Sequence, residues 1–267
     1  MRWARLKLRF GSPVKVRLPF GSWWMAEDDF CSRSILREDF ENAEWRFVER
    51  FLEPGMTVLD IGAHHGFYSL LASVKVGGTG RVVAFEPSPR ERERLLRNLA
   101  LNSCTNVKVE DCALADTSGR QELIIVGSNN SGCNSLRQPN VKEPTTSVAV
   151  RVETLDGYLA EHPLPPVDFI KLDAEGAELA ILKGAGTILG SLPRPVIQCE
   201  LEEIRTRPWG YHPREVVALL DTMGYRWFRP RSDGALRRFE DKAEVDGNFF
   251  AVPEERMEPL RARGLLA

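Results

Sequence analysis

No stretch of the 267 residues is long and apolar enough to be read as a membrane-spanning helix. The first residues contain no apolar core of signal-peptide length, which argues against export by that route. Cysteine is scarce and odd in number: Cys31, Cys104, Cys112, Cys133 and Cys199, with no C-x-x-C pair. That scatter excludes a disulfide framework and fits reduced thiols in a cytoplasmic protein. There are four histidines, His64, His65, His162 and His212. The adjacent pair offers no i, i+4 metal face, and no metal is expected. Internal repeats and low-complexity tracts are missing too. The formal charge is only −2, so neither nucleic acid nor an acidic membrane is expected as a partner.

Apolar residues are plentiful at 43%, enough for a sizeable core. Basic residues cluster early: Arg2, Arg5, Lys7, Arg9, Lys15 and Arg17 all precede the first acid, Glu27. Such a run is either a solvated edge or an arm that touches phosphates or anionic head groups. Val14, Val16 and Leu18 alternate with Lys15 and Arg17, which predicts a strand. Gly21 and Ser22 turn the chain, and residues 22–26 return as a second strand. Phe40, Ala43, Phe47, Val48 and Phe51 recur at helical spacing and predict a helix over 38–52, stopped by Pro54 and Gly55.

The pattern then alternates. Strands are expected at 57–61, 81–85, 107–109, 167–172 and 196–201, with helices at 66–75, 89–101, 177–182 and 213–223. Pro89 suits the first turn of its helix. Two more strands, 121–126 and 147–152, flank a polar loop over 127–146. A loop of that length in a compact domain is functional or disordered. Residues 225–228 and 249–252 close the chain as an antiparallel pair. Strand–helix alternation implies a parallel sheet with ligands beyond the strand C-termini. Asp60, Glu86, Asp111 and Asp173 all stand at or just past such ends.

The strongest signal is the turn after the first of these strands, where Asp60, Gly62, Ala63, His64, Gly66 and Tyr68 follow one another. Glycines permit a tight strand-to-helix turn and close approach of a ligand to the main chain. The helix N-terminus beyond offers N–H groups to a carboxylate. Glu86 follows Asp60 by 26 positions and can accept the hydroxyls of a ribose. Dinucleotide-binding folds use the same logic, but their fingerprint is G-x-G-x-x-G, and no third glycine stands in place here. A nicotinamide-dependent oxidoreductase is the first alternative. A non-catalytic binding module that kept the fold is the second.

These residues carry a resemblance to the FkbM family of class I S-adenosylmethionine-dependent methyltransferases. Beside the turn, the resemblance includes Phe85, Glu86, Pro87, Ser88 and Pro89, then Asn98, then the run from Ala113 to Asp116 with Gly119, and residues 152–156. Its most specific piece runs from Phe169 to Glu178 (FIKLDAEGAE), continued by residues 182–185, and residues 247–250 resemble the last strand. It covers about residues 38–253. The resemblance implies a Rossmann-like α/β fold: seven strands, mostly parallel, with an antiparallel C-terminal hairpin. The N-terminal strand pair and helix, residues 1–53, would pack on a core of residues 54–267. It implies S-adenosylmethionine as cofactor, with Asp60, Gly62 and Gly66 shaping the methionine pocket, Glu86 on the ribose, and Asp111 and Cys112 flanking the adenine. Ala63, His64, Tyr68, Pro87, Ser88 and Ala113 complete the expected cofactor site. At position 64 the family more often has Asn, so altered contacts are expected there. Acceptors in the family are mostly hydroxyl groups of sugars, lipids or secondary metabolites, so a small-molecule or glycan- or lipid-linked acceptor is expected, with a homodimer left open.

Methyl transfer aligns acceptor oxygen, methyl and sulfur, and positioning alone can lower the barrier by about 7–11 kcal/mol. A base that takes the hydroxyl proton adds about 10²–10⁴ in rate. Asp173 is the candidate: it can accept the proton, orient the acceptor or support the cofactor's charged end. An acidic helix cap is the bland alternative. Glu175 follows closely, and the pair could join a divalent cation with an unnamed third ligand. Lys171 stands on the same strand face as Phe169 and Asp173. An ion pair with Asp60 or Glu86 is the simpler reading, and a base of lowered pKa the sharper one. Trp23, Trp24, the 127–146 loop, Glu200 and His212 are candidates for the acceptor pocket.

Overall fold

The computed structural model describes residues 13–241 and 244–267. Of the basic arm, Arg2, Arg5, Lys7 and Arg9 lie outside the described residues.

The chain opens with β1 (Val14–Arg17) and β2 (Trp23–Ala26), paired antiparallel as expected. The helix expected over 38–52 is present as Asn42–Phe51, and a further helix that was not expected precedes it. Phe30–Arg37 is capped by Asp29, whose carboxylate accepts from the Ser32 N–H, and ends at a left-handed Glu38. Asn42–Phe51 follows after a left-handed Glu41. Two left-handed residues break the helical path, so Phe40 sits in the link rather than on a helix face.

The central sheet contains β3 (Thr57–Ile61), β4 (Arg81–Phe85), β5 (Val107–Glu110), β9 (Phe169–Leu172), β10 (Val196–Leu201), β11 (Tyr225–Pro230), β12 (Leu236–Arg238) and β13 (Gly247–Pro253). Their order is β12-β11-β13-β10-β9-β3-β4-β5. From β5 to β10 neighbours run parallel, while β13 is antiparallel to both β10 and β11. This is the Rossmann-like arrangement implied above, with an eighth strand added: β12, three residues long, pairs with β11 at the edge. A strand so short has no periodicity to reveal it. The other strands, β6 (Cys112–Leu114), β7 (Gly119–Val126) and β8 (Thr145–Glu153), form a separate three-stranded sheet.

Strand β3 is buried along its whole length, as a parallel strand covered on both faces must be. Side chains alternate between two cores. On one side Phe169 and Phe250 meet the N-terminal helix: Phe47 lies 4.6 Å from Phe250, edge-on, and Phe51 lies 5.7 Å from Phe169. On the other, Ile61, Phe85, Ile170 and Phe249 pack with the helices Leu155–Glu161, Glu178–Lys183 and Arg214–Thr222. Helix Leu155–Glu161 was not expected, although Thr154 caps it by accepting from the Gly157 N–H. Helix Glu254–Ala262 was also missed; Pro259 inside it obscures the pattern. Among the described residues no helix is long and apolar enough to cross a membrane.

Candidate active site

Parallel strands direct their C-termini to one edge, and β3 and β9 are direct neighbours there. The chain leaves β3 through Gly62 at φ +81°. A Cβ on Gly62 would stand 1.8 Å from the Asp173 carbonyl oxygen. Glycine is therefore demanded by the backbone of the adjoining strand end as well as by the turn. Gly66, at φ +90°, packs against Leu95, which a Cβ would meet at 2.3 Å. His64 is left-handed without being glycine, a strain of about 1–3 kcal/mol. Its position is fixed twice. The His64 N–H donates to Glu86 Oε2 at 2.8 Å, and the ring Nε2 meets Ser131 Oγ at 2.9 Å. Burial pushes the His64 imidazole down to about 4, so it is neutral.

Above the strand edge lies a cavity of about 440 Å³. Glu86 forms one pole. Its second oxygen accepts from the Ser88 N–H at 2.8 Å, so each oxygen already holds one backbone donor. Burial pushes Glu86 up to about 8 despite those donors. Phe85, Pro87, Cys112 and Ala113 line the wall beside it. Apolar walls and an acceptor with lone pairs to spare fit an adenosine, and the 62–67 turn with its helix N-terminus fits an amino-acid carboxylate. The residues present therefore suit S-adenosylmethionine.

Asp173 forms the other pole. Lys171 Nζ donates to Asp173 Oδ2 at 2.9 Å, so its partner is Asp173 and not Asp60 or Glu86. Lys171 and Asp173 stand two apart on one strand face, and the Asp173 N–H still donates to the Ile61 carbonyl of β3, so the pair meets locally. Burial works against charge on both groups, but their mutual attraction prevails: Asp173 is held below, and Lys171 above, its ordinary value. Lys171 is thus a fixed cation and not a base of lowered pKa. Asp60 instead accepts from Ser69 Oγ at 2.5 Å, and burial raises it to about 6. Nor is Asp173 a helix cap. Helix Glu178–Lys183 starts at Ala177 with no side-chain cap, and Glu178 reaches back to brace the turn before it, accepting from the Ala174 N–H at 2.9 Å and the Gly176 N–H at 3.3 Å.

Carboxylates crowd this pole. Glu175 pairs with Arg205 at 3.0 Å, and Glu200 hydrogen-bonds Asp173. Burial first, then repulsion from Asp173, pushes Glu200 well up, so its protonated form donates a hydrogen bond to the Asp173 carboxylate. Oxygens of Asp173, Glu175 and Glu200 lie within 4.8 Å of one another, which supplies the third group that sequence left unnamed.

Of the expected cofactor residues, Asp60, Gly62, Ala63, His64, Tyr68, Glu86, Pro87, Cys112, Ala113 and Asp173 line the cavity. Gly66 and Ser88 stand behind it, Ser88 Oγ donating to Glu91. Asp111 is turned away. It is exposed and accepts from Arg151 Nη2 at 3.0 Å, because Cys112 immediately begins the second sheet and reverses the side chain. Of the acceptor candidates, Trp24, Glu200 and residues 130–136 of the loop line the cavity. Trp23 faces Lys15 and Arg17 on the surface, and His212 stands beside Glu203 outside. Sequence reading missed Glu41, Phe30, Phe40 and Arg205, all in the lining.

The model of the methyltransferase FkbM domain matches residues 60–227. Methyltransferase sdnD of Sordaria araneosa is 29% identical over 211 residues, 68% of this chain and 78% of that one. The 31-O-demethyl-FK506 methyltransferase FkbM of Streptomyces tacrolimicus is 24% identical over 195 residues, 63% of this chain and 74% of that one. Among solved structures, methyltransferase FkbM from Methylobacillus flagellatus KT superposes with a TM-score of 0.47 at 15% identity, over 85% of this chain and 56% of that one.

Proposed function

The chain belongs to the FkbM family of methyltransferases, and from that premise we propose that it methylates a hydroxyl oxygen of a small-molecule acceptor, drawn from sugars, lipids or secondary metabolites. The observation that carries this reading is the ionised Asp173 carboxylate, fixed by Lys171 in the same cavity as the 62–66 turn. The name of the Streptomyces relative, which places its methyl group on an oxygen, supports it. Membership in this family sets aside the oxidoreductase alternative.

S-adenosylmethionine supplies, when bound, a methyl group on a positively charged sulfur. Glu86 holds the ribose hydroxyls; Asp60, Gly62, Ala63, His64 and Tyr68 surround the amino-acid end; Pro87, Cys112 and Ala113 flank the adenine. Gly66 and Ser88 shape this site from behind. Asp173 takes the proton that the acceptor hydroxyl sheds as its oxygen gains the methyl group. Lys171 keeps Asp173 charged and aimed, and Glu175, tied to Arg205, borders the acceptor. Trp24 and the loop at 130–136 exclude water from the acceptor side. The described parts of residues 1–53 and 54–267 act as one structural unit, since Phe40, Glu41 and the catalytic Asp173 wall one cavity.

The test supplies methyl-labelled S-adenosylmethionine with a panel of sugars, hydroxylated lipids and polyketide-type alcohols. The reading predicts a labelled methyl ether and one S-adenosylhomocysteine per turnover. Label found on an amine nitrogen, with none on oxygen, would overturn it.

A further inference from the structure

The net charge of −2 conceals an uneven distribution. Residues 1–26 hold six basic side chains, Arg2, Arg5, Lys7, Arg9, Lys15 and Arg17, and no acidic one. Apolar residues are interleaved with the first four: Trp3, Leu6, Leu8 and Phe10. The hairpin of β1 and β2 carries the same mixture forward. Directly opposed residues of two strands share a face, and the register opposes Lys15 to Met25 and Arg17 to Trp23. These four form the outer face, because Val14, Trp24 and Ala26 on the other face are buried in the core. Lys15 and Arg17 are exposed, and Trp23 is 37% exposed. The Lys15 ammonium lies 4.4 Å from the Trp23 ring centroid, and the Arg17 guanidinium 5.7 Å. Among the described residues neither cation has a carboxylate partner. The acids that follow the hairpin are already taken, Glu27 by Arg94 and Arg97, Asp28 by Arg33, and Asp29 by Arg94.

We propose that the outer face of this hairpin, with the basic segment before it, docks on an anionic lipid surface. Cations without carboxylate partners beside an exposed aromatic ring suit a membrane interface: the charges meet head groups, and the apolar side chains enter the acyl boundary. Lipid fits better than nucleic acid. A phosphate backbone would take the cations, but Leu6, Leu8 and Met25 would find nothing apolar there. One face of Trp23, on which a base would stack, is covered by Lys15. Docking of this kind needs no spanning helix, and none is present among the described residues. The acidic remainder of the chain does not forbid it, because charges farther than about 8 Å are largely screened at physiological salt. The cavity lies close to the hairpin. Trp24, next in the chain to Trp23, lines it, and so does Phe30, which is 60% exposed. Docking therefore brings the cavity near lipid-borne alcohols; that consequence, unlike the docking itself, rests on the proposed function.

The test sediments the full chain with vesicles of phosphatidylcholine containing about a third phosphatidylglycerol, and with vesicles of phosphatidylcholine alone. The anionic vesicles should carry the protein down and the neutral ones should not. Salt at about 1 M, which screens charge beyond about 3 Å, should release it. Each cation near such a surface is worth about fivefold in partitioning. The double variant Lys15→Gln, Arg17→Gln should therefore bind about 25-fold more weakly. Arg2→Gln, Arg5→Gln, Lys7→Gln and Arg9→Gln made together should weaken binding at least as much. Both variants should bind S-adenosylhomocysteine as the unaltered chain does, which separates lost docking from lost folding. If the hairpin variant does not fold, the second variant, which leaves the hairpin untouched, decides. Failure to sediment with anionic vesicles, equal binding to neutral ones, or binding that the folded variants leave unmoved overturns the proposal. Capture of duplex RNA in place of anionic vesicles overturns it in favour of nucleic acid. Anionic vesicle binding by a chain that labels only amine nitrogen would support the docking and overturn the proposed function instead.

Discussion

Glu86 and Asp173 are both strand-end acids lining one cavity, yet they are held in opposite charge states. Glu86 has backbone N–H groups and no cation on its carboxylate oxygens, and burial drives it up to about 8. Asp173 has a buried lysine at 2.9 Å and stays ionised. The topology supplies the position, and the neighbour decides the chemistry. On the proposed function, one pole receives hydroxyl donors, and the other rests as an anion until it takes the acceptor's proton.

Replacing Asp173 by Asn tests this division most severely. Turnover should fall about 10²–10⁴-fold, while the S-adenosylhomocysteine dissociation constant, measured by calorimetry, stays within about threefold. Equal loss of binding and turnover would erase the distinction between the poles. Gly62→Ala attacks what joins them. Its Cβ would press on the Asp173 carbonyl, so urea denaturation should show a loss on the order of 3 kcal/mol. An unchanged midpoint would mean that the two strand ends are not in contact.

At pH 9, where Glu86 is ionised, Glu86→Gln should weaken S-adenosylhomocysteine binding about 10-fold or more, from the ~1.5–3 kcal/mol of a hydrogen bond to a charged acceptor. The companion effect is pH-dependent. Folding raises the Glu86 pKa, so its protonated form favours the folded chain: that contribution is full below the ordinary carboxylate range and fades as pH rises through about 8. Asp173 is lowered and behaves oppositely, its contribution being lost as the solution is acidified below that range. If Glu86 holds the ribose as proposed, the hydroxyls bind best to its ionised form. Affinity should therefore rise from pH 6 to 9, with proton release seen by calorimetry in two buffers, and Glu86→Gln should be flat. A falling affinity would refute the assignment. The smallest effect belongs to the third strand-end acid: Asp111→Ala should change affinity less than twofold, because its carboxylate faces Arg151 and solvent.

What could be read from sequence was local. Strand, glycine turn and following acid lie within a few residues, so Asp60, Gly62 and Glu86 announce themselves. The specific run around Asp173 marked the second pole. What escaped depended on where the chain goes next. Asp111 ends a strand like the others, but the immediate start of β6 rotates it outward. Lys171 found its partner two residues away, on the face that alternation assigns to both, while Asp60 turned to Ser69. Glu41 is joined to Tyr68 across 27 positions and to Gln198 across 157, and only the folded sheet brings them together. Its left-handed backbone also delays the predicted helix, which begins at Asn42 and not at 38. The extra edge strand and the Pro-bearing final helix carry too little pattern to be seen.

The most direct measurement is a crystal structure of the chain with S-adenosylhomocysteine bound. Both ribose hydroxyls should rest on Glu86, with the sulfur turned toward Asp173 and the 130–136 loop. An adenosine seated elsewhere, or a sulfur facing away from Asp173, would contradict the assignment of the two poles.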